Sequence, residues 1–131
     1  MRRSAPALIA AAALLAACGT DEPAASTNTG LANLTVKLDN DGPKGAPAKE
    51  LKLTCDKATD SQACKTVATI TRQDLAPTPS GMMCTQIFAG PETATITGTL
   101  RGSAVDARFS RRDGCEVQRW KRVEPLLAEV R

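Results

Sequence analysis

Four cysteines, Cys55, Cys64, Cys84 and Cys115, constrain what this 131-residue chain can fold into more than any other feature. The stretch that holds them has little with which to build a core. The whole chain has two Phe, one Trp and no Tyr, so a domain of about 100 residues must be filled with small aliphatic side chains and is marginal by itself. An even number of cysteines in an exported chain reads as disulfides. Metal binding is the competing use. There is no Cys-x-x-Cys and no His anywhere, so no metal site and no cofactor is expected. Four cysteines allow three pairings, and spacing alone does not choose among them.

Export is read from the amino terminus. Arg2 and Arg3 precede the apolar run Ala7 to Ala17, which is too short and too Ala-rich to span a bilayer and reads as a signal peptide over residues 1–17. It ends in Leu15-Ala16-Ala17-Cys18, which resembles the bacterial lipobox, whose Cys is acylated and becomes the first mature residue. Two or more acyl chains are what stable anchoring needs. Residues 18–31 are then the lipidated Cys18 and a flexible Thr/Ala/Ser/Asn/Gly linker, and residues 32–131 form one small domain. Of seventeen basic residues, losing Arg2 and Arg3 leaves fifteen against fourteen acidic ones, a net charge of +1. That charge gives no footprint for nucleic acid, and membrane attachment rests on the lipid.

Period-2 alternation predicts four half-buried strands. They are Leu34-Val36-Leu38, Leu51-Leu53-Cys55, Ala94-Ile96-Gly98-Leu100 and Val105-Ala107-Phe109. Arg101-Gly102 between the last two suggests a tight hairpin. Ala63, Val67 and Ile70 fall on one helix face with Asp60 or Ser61 as cap, while Thr66, Thr69 and Thr71 leave a strand as the alternative. A second helix starts at Asp113-Gly114-Cys115-Glu116 and runs through Trp120 to Glu124, ahead of Pro125. Met82 to Ala89 is apolar and uncharged, framed by Gly81 and Gly90-Pro91, and reads as a fifth, irregular strand or as a loop. The sum is an α+β domain. The basic residues of Arg111-Arg112 and Arg119 to Arg122, and carboxylates such as Asp74, read mostly as solvated.

The order Leu51-Lys52-Leu53-Thr54-Cys55, Ala63-Cys64, Cys84-Thr85-Gln86-Ile87-Phe88, Thr95-Ile96-Thr97-Gly98-Thr99, Arg108-Phe109 and Cys115-Glu116 resembles the Streptomyces subtilisin inhibitor family. That family's landmarks include a Leu-Thr-Cys strand end, an Ala-Cys helix start and a Cys-Pro-Met-Val-Tyr reactive segment. The resemblance spans about Leu34 to Glu116. It implies a five-stranded antiparallel sheet with two short helices on one face, and the disulfides Cys55–Cys64 and Cys84–Cys115. It further implies a substrate-like loop offered to extracellular subtilisin-like serine proteases. Cys84 is then P3, Thr85 P2, Gln86 P1, Ile87 P1′ and Phe88 P2′; Met82 and Met83 read either as further contacts ahead of them or as core filler. A homodimer is also in keeping with the family.

Three positions depart from the family pattern. Thr85 replaces the usual Pro at P2, Gln86 stands at P1 where long apolar or basic residues are usual, and Ala89-Gly90 adds one residue before Pro91. The expected function is therefore a lipid-anchored protease inhibitor on the outer face of the bacterial cell membrane. The alternative is a non-inhibitory surface lipoprotein that uses the same fold as a binding or structural module. An enzyme is not expected, since the chain offers no His base, no thiol outside disulfides and no Gly-rich phosphate loop.

Overall fold

Each of the four alternating segments is a strand in the computed structural model, which describes residues 30–42 and 45–131. The expected signal peptide, Cys18 and the expected linker up to residue 29 lie outside the described residues. The strands are β1 (Ala32–Asp39), β2 (Lys49–Cys55), β3 (Thr93–Leu100) and β4 (Ser103–Phe109). All neighbours are antiparallel, in the order β2-β1-β3-β4. Three helices complete the domain: α1 (Gln62–Thr69), α2 (Arg72–Leu75) and α3 (Gly114–Leu127). The class is α+β, as the periodicity predicts.

One face of the sheet is the core floor. Ala32, Leu34, Val36 and Leu38 of β1 are all buried, with Leu53, Ala94, Ile96, Leu100, Ala107 and Phe109 beside them. Val67 of α1 and Trp120, Val123, Leu126 and Leu127 of α3 close the same cluster. Gly98 departs from the alternation and is exposed. The Cys55–Cys64 disulfide joins the end of β2 to the first turn of α1 and is wholly buried.

Among the described residues the sheet has four strands, not five. Met82 to Ala89 pairs with no strand. Its apolar side chains face water, so no buried face holds it to the sheet edge.

The helices number three rather than two. After α1 the chain makes a separate turn, α2, closed by a capping box. The Thr71 hydroxyl and amide donate to Asp74 Oδ2, at 2.6 and 2.8 Å, and the Asp74 amide donates back to Thr71 Oγ1. Thr71 is the cap and Asp74 its reciprocal partner, so Asp74 is not merely a solvated carboxylate. The spacing Thr71-x-x-Asp74 carried that signal.

Helix α3 also runs past its expected stop, with Pro125 inside it. An interior proline costs about 3 kcal/mol. Leu126 and Leu127 behind it are fully buried, and each is worth about 1.5–3 kcal/mol, so burial offsets the break. The turn also brings Val130 into the core.

The caps and the hairpin have local causes. Ser61 caps α1, accepting from the Cys64 amide, while Asp60 accepts from the amides of Asp56 and Lys57 in the preceding turn. In the β3–β4 hairpin both Arg101 and Gly102 have positive φ, 49° and 75°, the requirement of a type I′ turn. Arginine is an unusual residue there. Its guanidinium reaches across to the end of α1, donating to the carbonyls of Ile70 at 2.8 Å and Ala68 at 2.6 Å.

The hydrogen bonds from Thr71, with a smaller contribution from the nearby Arg122 charge, hold the Asp74 carboxyl below its ordinary value of 3.8. A depressed folded-state value means that the stabilisation is present above the ordinary value and is lost as pH falls through the folded one. Asp74→Ala should therefore lower stability at neutral pH by about 0.5–2 kcal/mol. In urea melts the gap to the wild type should shrink as the pH drops well below 3.8.

Candidate functional site

Residues 82–90 have no regular secondary structure and lead into β3. Their place follows from the strand register. Ala32, where β1 starts, pairs with Cys55 and Leu100, whereas Asp39 at its other end pairs with Thr93. The loop leads into β3 at that second pole, so it stands about 25 Å, one eight-residue strand, from where the chain enters the sheet.

The loop is exposed along its length. Met83 is 97% accessible, Phe88 67%, and Met82 and Ile87 each 54%. Thr85 and Gln86 are also exposed, and only Cys84, Ala89 and Gly90 are partly covered. These four are the chain's exposed large hydrophobics among the described residues, gathered in one segment.

Three bonds brace this segment against the start of α3. Cys84 is joined to Cys115. The Gly114 amide donates to the Thr85 carbonyl at 2.9 Å, and the Ala89 amide donates to the Arg111 carbonyl at 2.8 Å. Between the last two, Gln86, Ile87 and Phe88 make no backbone hydrogen bond to the described residues. The segment is pinned at both ends and free in the middle. Gly114 eases this closeness: a Cβ there would overlap Thr85 Oγ1, so the Thr85 side chain would have to turn or the loop shift.

Each arm of the loop rests on an arginine. On the near side, Arg119 is only 8% exposed. Its Nε donates to the Ala76 carbonyl at 2.7 Å, its Nη1 donates to the Arg108 carbonyl at 3.1 Å, and the same nitrogen meets Glu116 at 2.8 Å. Its guanidinium lies 4.6 Å from the centre of the Phe109 ring. Glu116 also accepts from the Thr78 hydroxyl at 2.8 Å and the Ser110 amide at 3.4 Å. The approach segment Ala76-Pro77-Thr78 is thereby tied to α3 and to the end of β4.

On the far side, Arg111 pairs with Glu92 at 2.7 Å and its guanidinium lies 5.8 Å from the Trp120 ring centre. Gly90 has φ +143°, and a Cβ on it would overlap the Glu92 carboxylate. Gly90 is therefore packed against the Arg111–Glu92 ion pair rather than left loose.

Of the site residues expected from sequence, Met83, Cys84, Thr85, Gln86, Ile87 and Phe88 lie together in this loop. Cys115 is joined to Cys84, and Cys55 and Cys64 form the other disulfide. Cys18 lies outside the described residues. Of the supports, Glu92 was not singled out by sequence, and Arg111 and Arg119 were read there as solvated. Arg119 is a correction, for it is buried, not part of a solvated face. A signal existed in Glu116-x-x-Arg119, an i,i+3 pair, but nothing local says that it faces inward. Asp113 caps α3, accepting from the Glu116 amide at 2.9 Å. The capping box suggested there is only half made, because the Glu116 side chain is taken by Arg119. Asp113 also lies close to Cys84 and Cys115, but a disulfide offers no thiolate to a metal.

No family model, no curated protein and no solved structure matches the chain.

Two substitutions separate fold from loop. Arg119→Met keeps bulk but leaves the half-buried Glu116 carboxylate without its ion-pair partner, which should cost about 1–3 kcal/mol in a urea melt. Gly114→Ala improves helix propensity but displaces Thr85. It should leave the melt nearly unchanged while nonspecific proteolysis within 83–89 becomes faster, read by mass spectrometry.

Proposed function

We propose that this protein is a subtilisin-inhibitor-like lipoprotein. It is anchored through Cys18 to the outer face of the cell membrane and inhibits extracellular subtilisin-like serine proteases. The contact loop is Met83 to Phe88 and the scissile bond is Gln86–Ile87. The observation that carries this reading is an exposed apolar loop, braced at both ends, whose central backbone is left unbonded.

A protease holds its substrate in extended form by main-chain hydrogen bonds and side-chain pockets. A segment already held at both ends loses less entropy on binding than a free one. Unbonded amides and carbonyls at Gln86 to Phe88 are free to pair with an enzyme without breaking an internal bond. The bond from the Gly114 amide to the Thr85 carbonyl and the disulfide at Cys84 restrain the chain on the acyl side of Gln86–Ile87. The bond from the Ala89 amide to the Arg111 carbonyl restrains it on the amine side. After cleavage both new ends stay near each other, so attack of the new amine on the acyl group competes with release.

The tether fits the same reading. The chain enters β1 at the pole opposite the loop, so the point where the proposed tether joins the domain lies away from the loop. The departures from the family pattern bear on affinity. Gln86 places a polar amide where most subtilisins take an apolar side chain. Thr85 lacks the stiffness of proline, but its amide makes no hydrogen bond to the described residues, so proline there would remove none.

The test is an inhibition constant against a subtilisin with an apolar S1 pocket. Gln86→Leu should tighten inhibition about 10-fold or more, and Thr85→Pro should tighten it further by stiffening the loop. If neither the wild type nor these variants inhibit, the loop is not a reactive site, and a non-inhibitory surface lipoprotein is the better account.

A further inference from the structure

We propose that Met83 is an oxidation site through which a peroxide weakens the grip of this loop on a protease; the proposal rests on the inhibitor reading above. Methionine is normally core filler. Here the buried cluster contains none. Apart from Met1, the chain's methionines are Met82 and Met83 alone, and both are exposed beside Cys84.

The two differ in access. Met82 is about half covered and lines a groove with Ala76, Pro77, Pro79 and Cys115. Met83 is 97% accessible. A thioether needs no deprotonation to react, so at these two positions access sets the order of attack. The described cysteines compete poorly, because all four are disulfide-bonded.

The step balances with a hydroperoxide as oxidant. The Met83 sulfur attacks one peroxide oxygen and an S–O bond forms as the O–O bond breaks. Sulfur loses two electrons and becomes the sulfoxide. The other oxygen leaves as hydroxide and takes a proton, giving water when the oxidant is hydrogen peroxide. The product carries a strong hydrogen-bond acceptor in place of an apolar sulfur. Met83 lies three residues before Gln86 in the contact segment. Burying that acceptor in an apolar protease subsite without a donor should weaken binding about 10- to 100-fold. Among the described residues no core contact involves Met83, which is 97% exposed, so the fold should not change.

The experiment uses the processed lipoprotein in detergent, titrated with hydrogen peroxide. Peptide mapping follows oxygen uptake, and inhibition of a subtilisin follows function. Met83 should take up oxygen before Met82, with inhibition falling about 10- to 100-fold in step and the melting temperature unchanged. Met83→Leu, whatever its own inhibition constant, should be insensitive to peroxide over the same range. Inhibition that persists with Met83 fully oxidised overturns this proposal alone. So does oxidation of Met82 first, or a Met83→Leu protein that loses inhibition equally on peroxide treatment. A protein that inhibits neither before nor after oxidation overturns the inhibitor reading, and this proposal with it.

Discussion

The Arg119 guanidinium is the contact on which the loop end of the domain depends. It lies under the approach segment, stacked on Phe109, and its bonds to Ala76, Arg108 and Glu116 gather three parts of the chain that no backbone ladder connects. Taking an arginine and a glutamate out of water is costly, and the pair is tolerable only because further hydrogen bonds satisfy it. Glu116 receives them from Thr78 and Ser110. Such a network adds little to net stability compared with apolar packing. What it supplies is position, since a guanidinium with defined donors permits one arrangement of the loop where a greasy contact would permit several.

The two disulfides divide the labour between the poles of the sheet. Cys55–Cys64 sits beside the start of β1 and stabilises a core short of aromatic residues. Cys84–Cys115 lies at the opposite pole, partly exposed, and fastens an apolar segment that would otherwise have no reason to remain in water. Exposed apolar side chains are costly, and in one contiguous segment they mark a surface meant to be covered. Bracing at both ends with freedom in the middle suits a partner that binds backbone as well as side chains. The Arg111–Glu92 pair and Gly90 extend this bracing to the far arm.

Much of the fold was legible in the sequence because its signals are local. Alternation of Leu34-Val36-Leu38 or of Ala107-Phe109 with polar residues specifies a strand and its buried face. Asp113 and Ser61 announce helix starts. The disulfide pairing was not legible from spacing; the family resemblance implied it. The fifth strand and the end of α3 failed for a shared reason. Whether Met82 to Ala89 joins a sheet, or Leu126 and Leu127 overrule Pro125, depends on burial against distant residues. Arg119 failed in the same way, since a basic residue among Lys121 and Arg122 looks solvated until Phe109 and Ala76 are brought beside it. In the loop itself, the lack of alternation around Gln86 was the visible clue to exposure. The braces from Gly114 and Arg111 were invisible because they are backbone bonds.

The central claim is that the loop's two ends stay in place when the Gln86–Ile87 bond is cut. Religation measures this directly. The protein is nicked at that bond, freed of enzyme, and returned to a trace of subtilisin, with intact and nicked chains counted by mass spectrometry over time. The account predicts that intact chain reappears, and that the same intact-to-nicked ratio is reached from either starting form. Progressive digestion of the nicked chain, with no intact protein regained, would contradict it.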